Sequence, residues 1–178
     1  RMVRNDRVIW ASCMVSCGDA DGAVTGNTRR FGASFEKINK VVDARPGEIM
    51  FGLNMIVNKG KTVFIGDTTV HEYPNSEQLA NIAISAARVV RLFGFDPKVA
   101  FVSHSTFGQP LTSRTKHIRN AVQILKDKNV DFKFDGDMQP DVALDDEYKE
   151  LYPMSEIVGN ANVLVIPGQH SAAISYKI

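Results

Sequence analysis

The chain has 178 residues, of which 44% are hydrophobic, a composition typical of one globular domain or one large lobe of a bigger domain. Its 21 Lys and Arg nearly balance its 20 Asp and Glu, which disfavours attraction to nucleic acid or to an anionic membrane. No apolar run could cross a bilayer and two cysteines give no disulfide framework, so we expect a protein of the reducing cytoplasm.

The first part of the chain predicts two helices and a short strand. The first helix is predicted to end at the glycine-rich residues 18–22. The apolar residues on one of its faces are Val3, Trp10, Met14 and Cys17. Residues 23–25 are predicted to form a strand. A second apolar face predicts a helix that stops before Pro46, and it comprises Phe31, Phe35, Ile38 and Val42.

The next segment carries the clearest local signals. Residues 49–57 and 62–66 are predicted strands, joined by a turn at 58–61. A helix follows in which Asn75 is the N-cap, Gln78 completes a capping box, and Gly94 takes the left-handed conformation at the end. Its predicted buried stripe is Leu79, Ile82, Ala83, Ala86, Val89, Val90 and Phe93.

The rest of the chain alternates between strands and helices. Strands are predicted at 98–103, 131–134 and 162–166, and helices around 118–125 and 141–151. Strands separated by helices of this length favour an α/β fold with a mainly parallel sheet. The hairpin around residues 58–61 adds an antiparallel strand, so the predicted sheet is mixed.

Ligands of parallel α/β sheets bind beyond the carboxyl ends of the strands. The segment that follows the strand at 98–103 carries hydroxyl groups and a glycine, at Ser103, Ser105, Thr106 and Gly108. These groups could hold a phosphate or a carbonyl oxygen next to the following helix. A polar loop that caps that helix through Thr112 or Ser113 explains them equally, so both interpretations remain open.

Three further segments fall at predicted strand ends. Thr25 and Gly26 close the strand at 23–25, and Asp67 follows the strand at 62–66, where it could instead cap a turn. Asp135 lies in a cluster of carboxylates that could act as a general base or metal ligand. A tight turn followed by helix capping explains that cluster equally. No His or Cys pair has zinc-ligand spacing, so we expect no metal site.

Several segments together resemble the phosphate acetyl/butyryltransferase family over essentially the whole chain. They are Gly18–Gly26, Ser76–Ala83, Lys98–Thr106, Asp135–Gln139 and Gly159–Pro167. The resemblance implies a three-layer α/β/α fold with a mixed, mainly parallel sheet. This is the isocitrate-dehydrogenase-like architecture of phosphotransacetylases.

Three segments are more similar to the domain appended to the C-terminus of bacterial NADP-dependent malic enzymes: Asp6–Ala11, Gly60–Thr68 with His71 and Glu72, and Ser103–Gly108. In those enzymes the appended domain is regulatory and oligomerising and responds to acetyl-CoA. NADP and a divalent metal bind the N-terminal, malate-oxidising half. The resemblance therefore implies acetyl-CoA as a possible effector, no cofactor held by this chain, and a homodimer or higher homo-oligomer.

Departures from the family pattern favour a regulator over a catalyst. Active phosphotransacetylases have an arginine in a Thr-Leu-Arg setting, where this chain has Ser34, Phe35 and Glu36. A carboxylate there would disfavour a phosphorylated ligand in a partly desolvated site, because like charges repel. The family's catalytic serine, arginine and aspartate would lie beyond Ile178. We therefore expect residues 1–178 to be a fragment of one two-lobed domain, truncated at both ends, with no catalytic residue.

The sequence thus predicts an acetyl-CoA-responsive regulatory domain of an NADP-dependent malic enzyme, which decarboxylates malate oxidatively to pyruvate. The alternative is an active phosphate acetyltransferase, which makes acetyl-CoA and phosphate from acetyl phosphate and CoA. In either case the ligand is an acyl-CoA or acyl phosphate, with no nucleic-acid or membrane partner. The predicted ligand-binding residues are Thr25, Gly26, Asp67, Ser103, Ser105, Thr106, Gly108 and Asp135.

Overall fold

The computed structural model describes the backbone of residues 2–178 and their side chains, apart from those at positions 2, 114 and 149. The chain divides into two compact units, residues 1–47 and residues 48–178. We call them the first unit and the second unit. None of the helices in the described part of the chain is long and apolar enough to cross a membrane.

The described part of the first unit is helical, with α1 (Met2–Asn5), α2 (Arg7–Cys17) and α3 (Phe31–Ile38). Asp6 is the N-cap of α2, since its Oδ1 accepts hydrogen bonds from the backbone N–H of Val8 at 2.9 Å and of Ile9 at 3.4 Å. At the other end Gly18 takes a φ of +81°, a conformation that glycine adopts without strain. The predicted end of this helix is therefore confirmed.

The predicted apolar face of α2 is not its buried face. Trp10 is 53% exposed and Met14 is also exposed, whereas Val8, Ile9 and Ser12 are buried. The buried face is the one that starts next to the N-cap, where Ser12 donates its hydroxyl to the Val8 carbonyl at 2.9 Å. The sequence contains two apolar faces, and its periodicity predicts a helix without saying which face packs.

Two predictions for the first unit are wrong. Residues 23–25 form no strand, because the first unit offers no neighbouring strand among its described residues to take their backbone hydrogen bonds. The second helix ends at Ile38 rather than near Val42. There the N–H groups of Lys40 and Val41 bond to carbonyls three residues back, a tighter pattern typical of a helix end.

In the second unit, β1 (Leu53–Asn58) and β2 (Lys61–Gly66) form the predicted antiparallel hairpin. Lys59 and Gly60 make its turn with φ of +48° and +78°. A turn with two left-handed residues matches the right-handed twist of paired strands, so the tight connection is favourable. Glycine supplies one of these conformations without a steric cost.

Three more strands, β3 (Lys98–Val102), β4 (Lys133–Met138) and β5 (Val163–Val165), run parallel to β2. The strand order is β1-β2-β5-β3-β4, so the mixed, mainly parallel sheet predicted from the sequence is confirmed. The helices of this unit are α4 (Ser76–Leu92), α5 (Ser113–Asp127), α6 (Pro140–Leu144), α7 (Asp146–Glu150) and α8 (Gln169–Ser175).

Helices cover both faces of the sheet, which gives the predicted three layers. One core lies between the sheet and the helices α4 and α5, and includes Phe64, Phe101, Val165, Ile82, Val90 and Leu125. The other lies against α6 and α8, and includes Ile65, Ala100, Leu164, Val142, Ala143 and Ala172. Neighbouring residues along each strand enter opposite cores because strand side chains alternate in direction.

The signals at the ends of α4 are confirmed. Asn75 Oδ1 accepts from the Gln78 N–H at 2.9 Å, and Gln78 Oε1 accepts from the Asn75 N–H at 2.9 Å. Gly94 takes a φ of +83° just beyond the helix. At α5 the N-cap is Thr112, whose hydroxyl accepts from the Thr115 N–H at 3.3 Å. One of the two candidate caps named from the sequence is therefore present.

Several boundaries differ from the prediction, and β1 begins at Leu53 rather than at residue 49. β4 continues four residues past Phe134, to Met138, because β3 remains alongside to pair with it. The predicted helix at 141–151 is instead two short helices, α6 and α7, interrupted by Asp145 in an extended conformation with φ of −128°.

Candidate functional site

The parallel strands β2, β5, β3 and β4 end at the same edge of the sheet, which is where ligands of this class of fold bind. The segment at 103–108 follows β3 directly, and we call it the strand-end loop. The Ser103 N–H donates to the Met138 carbonyl at 2.9 Å, which ties the start of the loop to the end of β4.

A chain of hydrogen bonds leads from this loop into the protein. The Oγ atoms of Ser103 and Ser105 are 3.1 Å apart, and the Ser105 hydroxyl donates to Asp137 Oδ2. Ser103 is 9% exposed, whereas Ser105 and Asp137 are 0% exposed. We call these three residues the hydroxyl chain. Only its outer member, Ser103, reaches the surface.

The carboxylate sets the direction of the hydroxyl chain. The single proton of the Ser105 hydroxyl is donated to Asp137, so in the contact between the two hydroxyls Ser103 donates and the Ser105 oxygen accepts. Ser103 Oγ also accepts from the Ser105 backbone N–H at 3.4 Å, which leaves this oxygen one lone pair for a ligand. Asp137 Oδ1 has no hydrogen-bond partner among the described residues. A buried carboxylate with one donor is energetically costly, which singles out Asp137.

Asp137 belongs to the carboxylate cluster that the sequence indicated, but Asp135 was the member selected as a ligand-binding residue. A strand that ended at Phe134 would leave Asp137 in a turn, but β4 carries it to the edge of the sheet beside β3. Gly136 could have indicated this, because an isolated glycine in a strand often marks a close backbone approach. A Cβ at position 136 would lie 2.7 Å from the Phe101 Cβ and from its carbonyl oxygen.

Asp135, which the sequence selected, lies further back in β4, opposite Ala100 of β3. Its Oδ1 accepts from the Gly136 N–H at 2.8 Å and its Oδ2 from the Glu156 N–H at 2.7 Å. Burial raises the pKa of the Asp135 carboxyl above its ordinary value. The structure places this carboxylate where it anchors the segment around Glu156, rather than in the strand-end loop.

Thr106 and Gly108 shape the far side of the strand-end loop. The Thr106 N–H donates to the Gln109 carbonyl at 3.1 Å, and its Oγ1 accepts from the Gln139 N–H at 3.3 Å. Gly108 is buried, with a φ of +89°. A Cβ there would lie 2.9 Å from Nη1 of Arg119, so this exposed cation of α5 lies against the loop.

Asp67 follows β2 and is 1% exposed. Its Oδ1 accepts from the N–H groups of Gly52, Thr69 and Val70 at 2.8, 2.9 and 3.1 Å. Its Oδ2 accepts from the His71 N–H at 2.9 Å and lies 2.6 Å from His71 Nδ1. β5 separates β2 from β3, so Asp67 lies about 10 Å from the strand-end loop. Its carboxylate is fully used in holding residues 67–71.

Thr25 and Gly26 belong to the first unit, in an exposed segment without regular structure. They line a cleft of about 500 Å³ inside that unit, together with Arg7 and Arg29. The predicted binding residues therefore fall into two groups: Thr25 and Gly26 in the first unit, and Asp67, Ser103, Ser105, Thr106, Gly108 and Asp135 in the second.

The expected effect of Glu36 on a phosphorylated ligand depended on a partly desolvated site. The structure contradicts that premise, because the Glu36 side chain is 73% exposed and pairs with Lys40 at 3.3 Å. Water screens such a carboxylate strongly, so its repulsion of an anion is weak. Glu36 is also not among the residues that line the first-unit cleft.

Across the side chains that the structure describes, no group of three or more His, Cys, Asp or Glu could hold a metal ion. The two polar centres of the second unit differ in what they offer a ligand. Asp67 is enclosed by its own loop, while Ser103 offers an oriented oxygen at the surface. The strand-end loop can therefore accept a hydrogen bond from a ligand N–H or O–H group.

Comparison with known proteins gives concordant matches. A family model described as Phosphate acetyl/butaryl transferase matches residues 1–178. An NADP-dependent malic enzyme from Rhizobium meliloti (strain 1021) is 44% identical over 178 residues, which cover 100% of the chain and 23% of that protein. A phosphate acetyltransferase from Buchnera aphidicola subsp. Schizaphis graminum is 31% identical over 174 residues, 97% of the chain and 24% of that protein.

Among solved structures, a phosphotransacetylase from Streptococcus pyogenes superposes with a TM-score of 0.89 at 28% identity. The match covers 99% of this chain and 55% of that one. The chain thus spans about a quarter of the length of these curated relatives and about half of the solved phosphotransacetylase.

Proposed function

Because the chain belongs to the phosphate acetyl/butaryl transferase family, we propose that it is an acetyl-CoA-responsive regulatory domain of an NADP-dependent malic enzyme. The higher identity to the malic enzyme than to the acetyltransferase supports this choice. The whole enzyme would decarboxylate malate oxidatively to pyruvate. Acetyl-CoA would change its rate by binding one of its activity states more tightly than the other.

The hydroxyl chain is the observation that carries this proposal. A general base must come within hydrogen-bond reach of the proton that it removes. Ser105 and Asp137 are 0% exposed, so neither can contact a thiol or an acyl phosphate. Ser103, the outer member, is a hydroxyl whose proton is already donated inward. These groups can orient a ligand, but they offer no base for acyl transfer.

The ligand chemistry also agrees with an acyl-CoA. The pantetheine arm of CoA contains amide N–H groups, and Ser103 presents an acceptor lone pair to which an amide can donate. We propose that the strand-end loop contacts this arm through Ser103, with Thr106 and Gly108 shaping the surface around it. Asp67 and Asp135 would act indirectly, by holding the segments next to the loop.

NADP and the divalent metal of the proposed enzyme would bind outside residues 1–178. The described side chains contain no metal-binding group, and the sequence has no glycine-rich dinucleotide motif. We also propose a cytoplasmic homodimer or higher homo-oligomer, with no nucleic-acid or membrane partner. Light scattering during size exclusion of the complete protein tests the assembly, and a monomer at working concentration would reject it.

The proposal is tested by calorimetric titration of the complete protein with acetyl-CoA, combined with a malate-oxidation assay. We expect saturable binding and a changed oxidation rate. Ser103→Ala should weaken acetyl-CoA binding by about 3- to 10-fold, since it removes one hydrogen bond. The matched control is Ser171→Ala, an exposed serine of α8 that should change nothing. Absent binding together with an unchanged oxidation rate rejects the proposal.

An active phosphate acetyltransferase remains the second candidate. The identity to a phosphate acetyltransferase favours it. Acetyl-CoA would then form by attack of the CoA thiolate on acetyl phosphate, releasing phosphate. Phosphate-dependent release of CoA thiol from acetyl-CoA measures the reverse reaction. Turnover that Asp137→Asn abolishes would establish this alternative.

A further inference from the structure

A second cleft, of about 400 Å³, lies in the second unit at the edge of the sheet opposite the strand-end loop. It is lined by Ile56, Asn58, residues 61–63, Leu144 and residues 160–162, and we call it the hairpin cleft. We propose that the hairpin cleft binds a small carboxylic acid with a branched aliphatic chain, in its ionised form. The inference is independent of the proposed function, which concerns the other edge of the sheet.

The position of the hairpin cleft follows from the sheet. Lys61 is the first residue of β2, and residues 160–162 lead directly into β5. β2 and β5 are parallel, so the cleft lies at their amino ends. β2 extends from Lys61 to Gly66, a distance of about 17 Å at the rise of a strand. A small ligand in this cleft therefore makes no contact with the strand-end loop.

One wall of the hairpin cleft is apolar. Ile56, Val63 and Leu144 are partly buried and pack on the core beside α6 and α8, and Ala161 is buried. Ile56 and Val63 lie directly opposite each other in the hairpin, so their side chains share one face of the sheet. The Ala161 N–H donates to the Ala143 carbonyl at 2.8 Å, which holds this wall against α6. A branched aliphatic chain can cover such a surface, and the volume lies within the range of small-molecule sites.

The polar part of the lining has hydrogen-bond donors to offer. The Asn162 side chain is already used, since its Oδ1 accepts from the Lys98 N–H at 2.7 Å and its Nδ2 donates to the Asp96 carbonyl at 2.8 Å. Asn160 differs, because its Oδ1 is buried without a partner among the described residues and its Nδ2 donates to none of them. An amide nitrogen without an acceptor can donate to a ligand oxygen.

The charge of the lining indicates an anionic ligand with one negative charge. Among the described residues of the lining, Lys61 is the charged one, and it makes no ion pair with the described carboxylates. Asp145 follows Leu144 but lies outside the lining, and its Oδ1 accepts from the Glu147 N–H at 3.0 Å. An ammonium group and an amide N–H beside an apolar wall suit a carboxylate on a hydrocarbon chain.

The test is a nuclear magnetic resonance titration of the complete protein with 3-methylbutanoate, its uncharged analogue 3-methylbutanamide, and acetate. We expect saturable binding of 3-methylbutanoate, at least about 5-fold tighter than binding of the amide or of acetate, which lack the charge or the chain. Lys61→Gln should weaken binding of 3-methylbutanoate about 5-fold and so remove its advantage over the amide. The matched control is Lys59→Gln, which removes the same charge from the same hairpin outside the lining and should change affinity less than about 1.5-fold.

A second pair of variants tests the place of binding. Leu144→Trp fills the hairpin cleft and should abolish binding of 3-methylbutanoate, whereas Ser103→Ala, at the other edge of the sheet, should leave it unchanged. Should Leu144→Trp lower the melting temperature, Lys61→Gln decides, since Lys61 is exposed and unpaired among the described residues. The inference is overturned if 3-methylbutanoate does not bind saturably or binds no better than acetate. It is also overturned if the two lysine variants lose affinity equally, because the effect is then one of overall charge.

Discussion

Two buried carboxylates at the same edge of the sheet are held in opposite ways. Asp67, after β2, is 1% exposed and receives hydrogen bonds at both oxygens. Asp137, at the end of β4, is 0% exposed and receives one side-chain hydrogen bond, from Ser105. Its Oδ1 has no partner among the described residues.

The difference shows that burial alone does not reveal the role of an acidic residue. Most donors to Asp67 come from the next four residues, so this carboxylate organises its own loop. The donor to Asp137 lies 32 residues away in the strand-end loop, so that carboxylate orients a surface hydroxyl instead. We regard the first as part of the architecture and the second as part of a site.

The largest expected effect is on the stability of the Asp67 loop. Asp67→Asn replaces one acceptor oxygen by an NH₂ group that faces backbone N–H donors, and should lower the free energy of unfolding by about 3 kcal/mol. Urea denaturation measures this change. Asp127→Asn, at an exposed position at the end of α5, should cost less than about 0.5 kcal/mol. Equal costs for the two variants would contradict the architectural role of Asp67.

The backbone that carries Asp137 is tested at Gly136. Gly136→Ala should cost about 2 to 3 kcal/mol, because a Cβ there meets Phe101 at 2.7 Å and φ is +150°. Gly32→Ala is the control, since a Cβ at that position of α3 has no neighbour within 4 Å and alanine favours a helix. Thermal unfolding of both variants measures the difference in stability. A Gly136→Ala variant as stable as the unmodified protein would contradict the close approach of residue 136 to Phe101.

A smaller change is expected when the same amide substitution is made at Asp137. Asp137→Asn keeps an acceptor oxygen for Ser105 and changes an oxygen that has no partner among the described residues, so stability should change by about 1 kcal/mol or less. Urea denaturation of Asp137→Asn and Asp67→Asn under the same conditions compares their free energies of unfolding directly. A loss as large as that of Asp67→Asn would mean that Asp137 is structural too.

The smallest expected effect is a pH dependence of stability that comes from Asp135 in β4. Burial raises the pKa of Asp135 in the folded state above its ordinary value of 3.8. Folding therefore favours the protonated carboxyl group. Its contribution to stability is full below pH 3.8 and is lost as pH rises through the pKa of the folded state. The stability of the unmodified protein relative to Asp135→Asn should fall as pH rises above 3.8. A relative stability that rises with pH there contradicts the raised pKa.

Features with local causes were predicted correctly. The capping box of Asn75 and Gln78 involves neighbouring residues, and the hairpin turn at Lys59 and Gly60 requires only two left-handed residues. The buried run of β5 was also recognised, because hydrophobic runs between turns are typical of central parallel strands. The hairpin and the parallel strand β5 together made the mixed sheet predictable.

Features that depend on distant partners were not predicted. The extent of β4 depends on pairing with β3, which the sequence around Asp137 does not contain. The predicted strand at 23–25 failed for the opposite reason, since no strand of the first unit lies beside it in the described chain. The role of Ser105 likewise becomes visible only when the fold brings Asp137 to it.

The central claim is that the strand-end loop binds a ligand without performing acyl transfer. The most direct test measures malate oxidation and phosphate-dependent thiol release in the same samples of the complete protein, across a titration of acetyl-CoA. We predict that the oxidation rate changes saturably while thiol release stays at the uncatalysed level. Thiol release that rises with acetyl-CoA, at a constant rate of malate oxidation, would contradict the account.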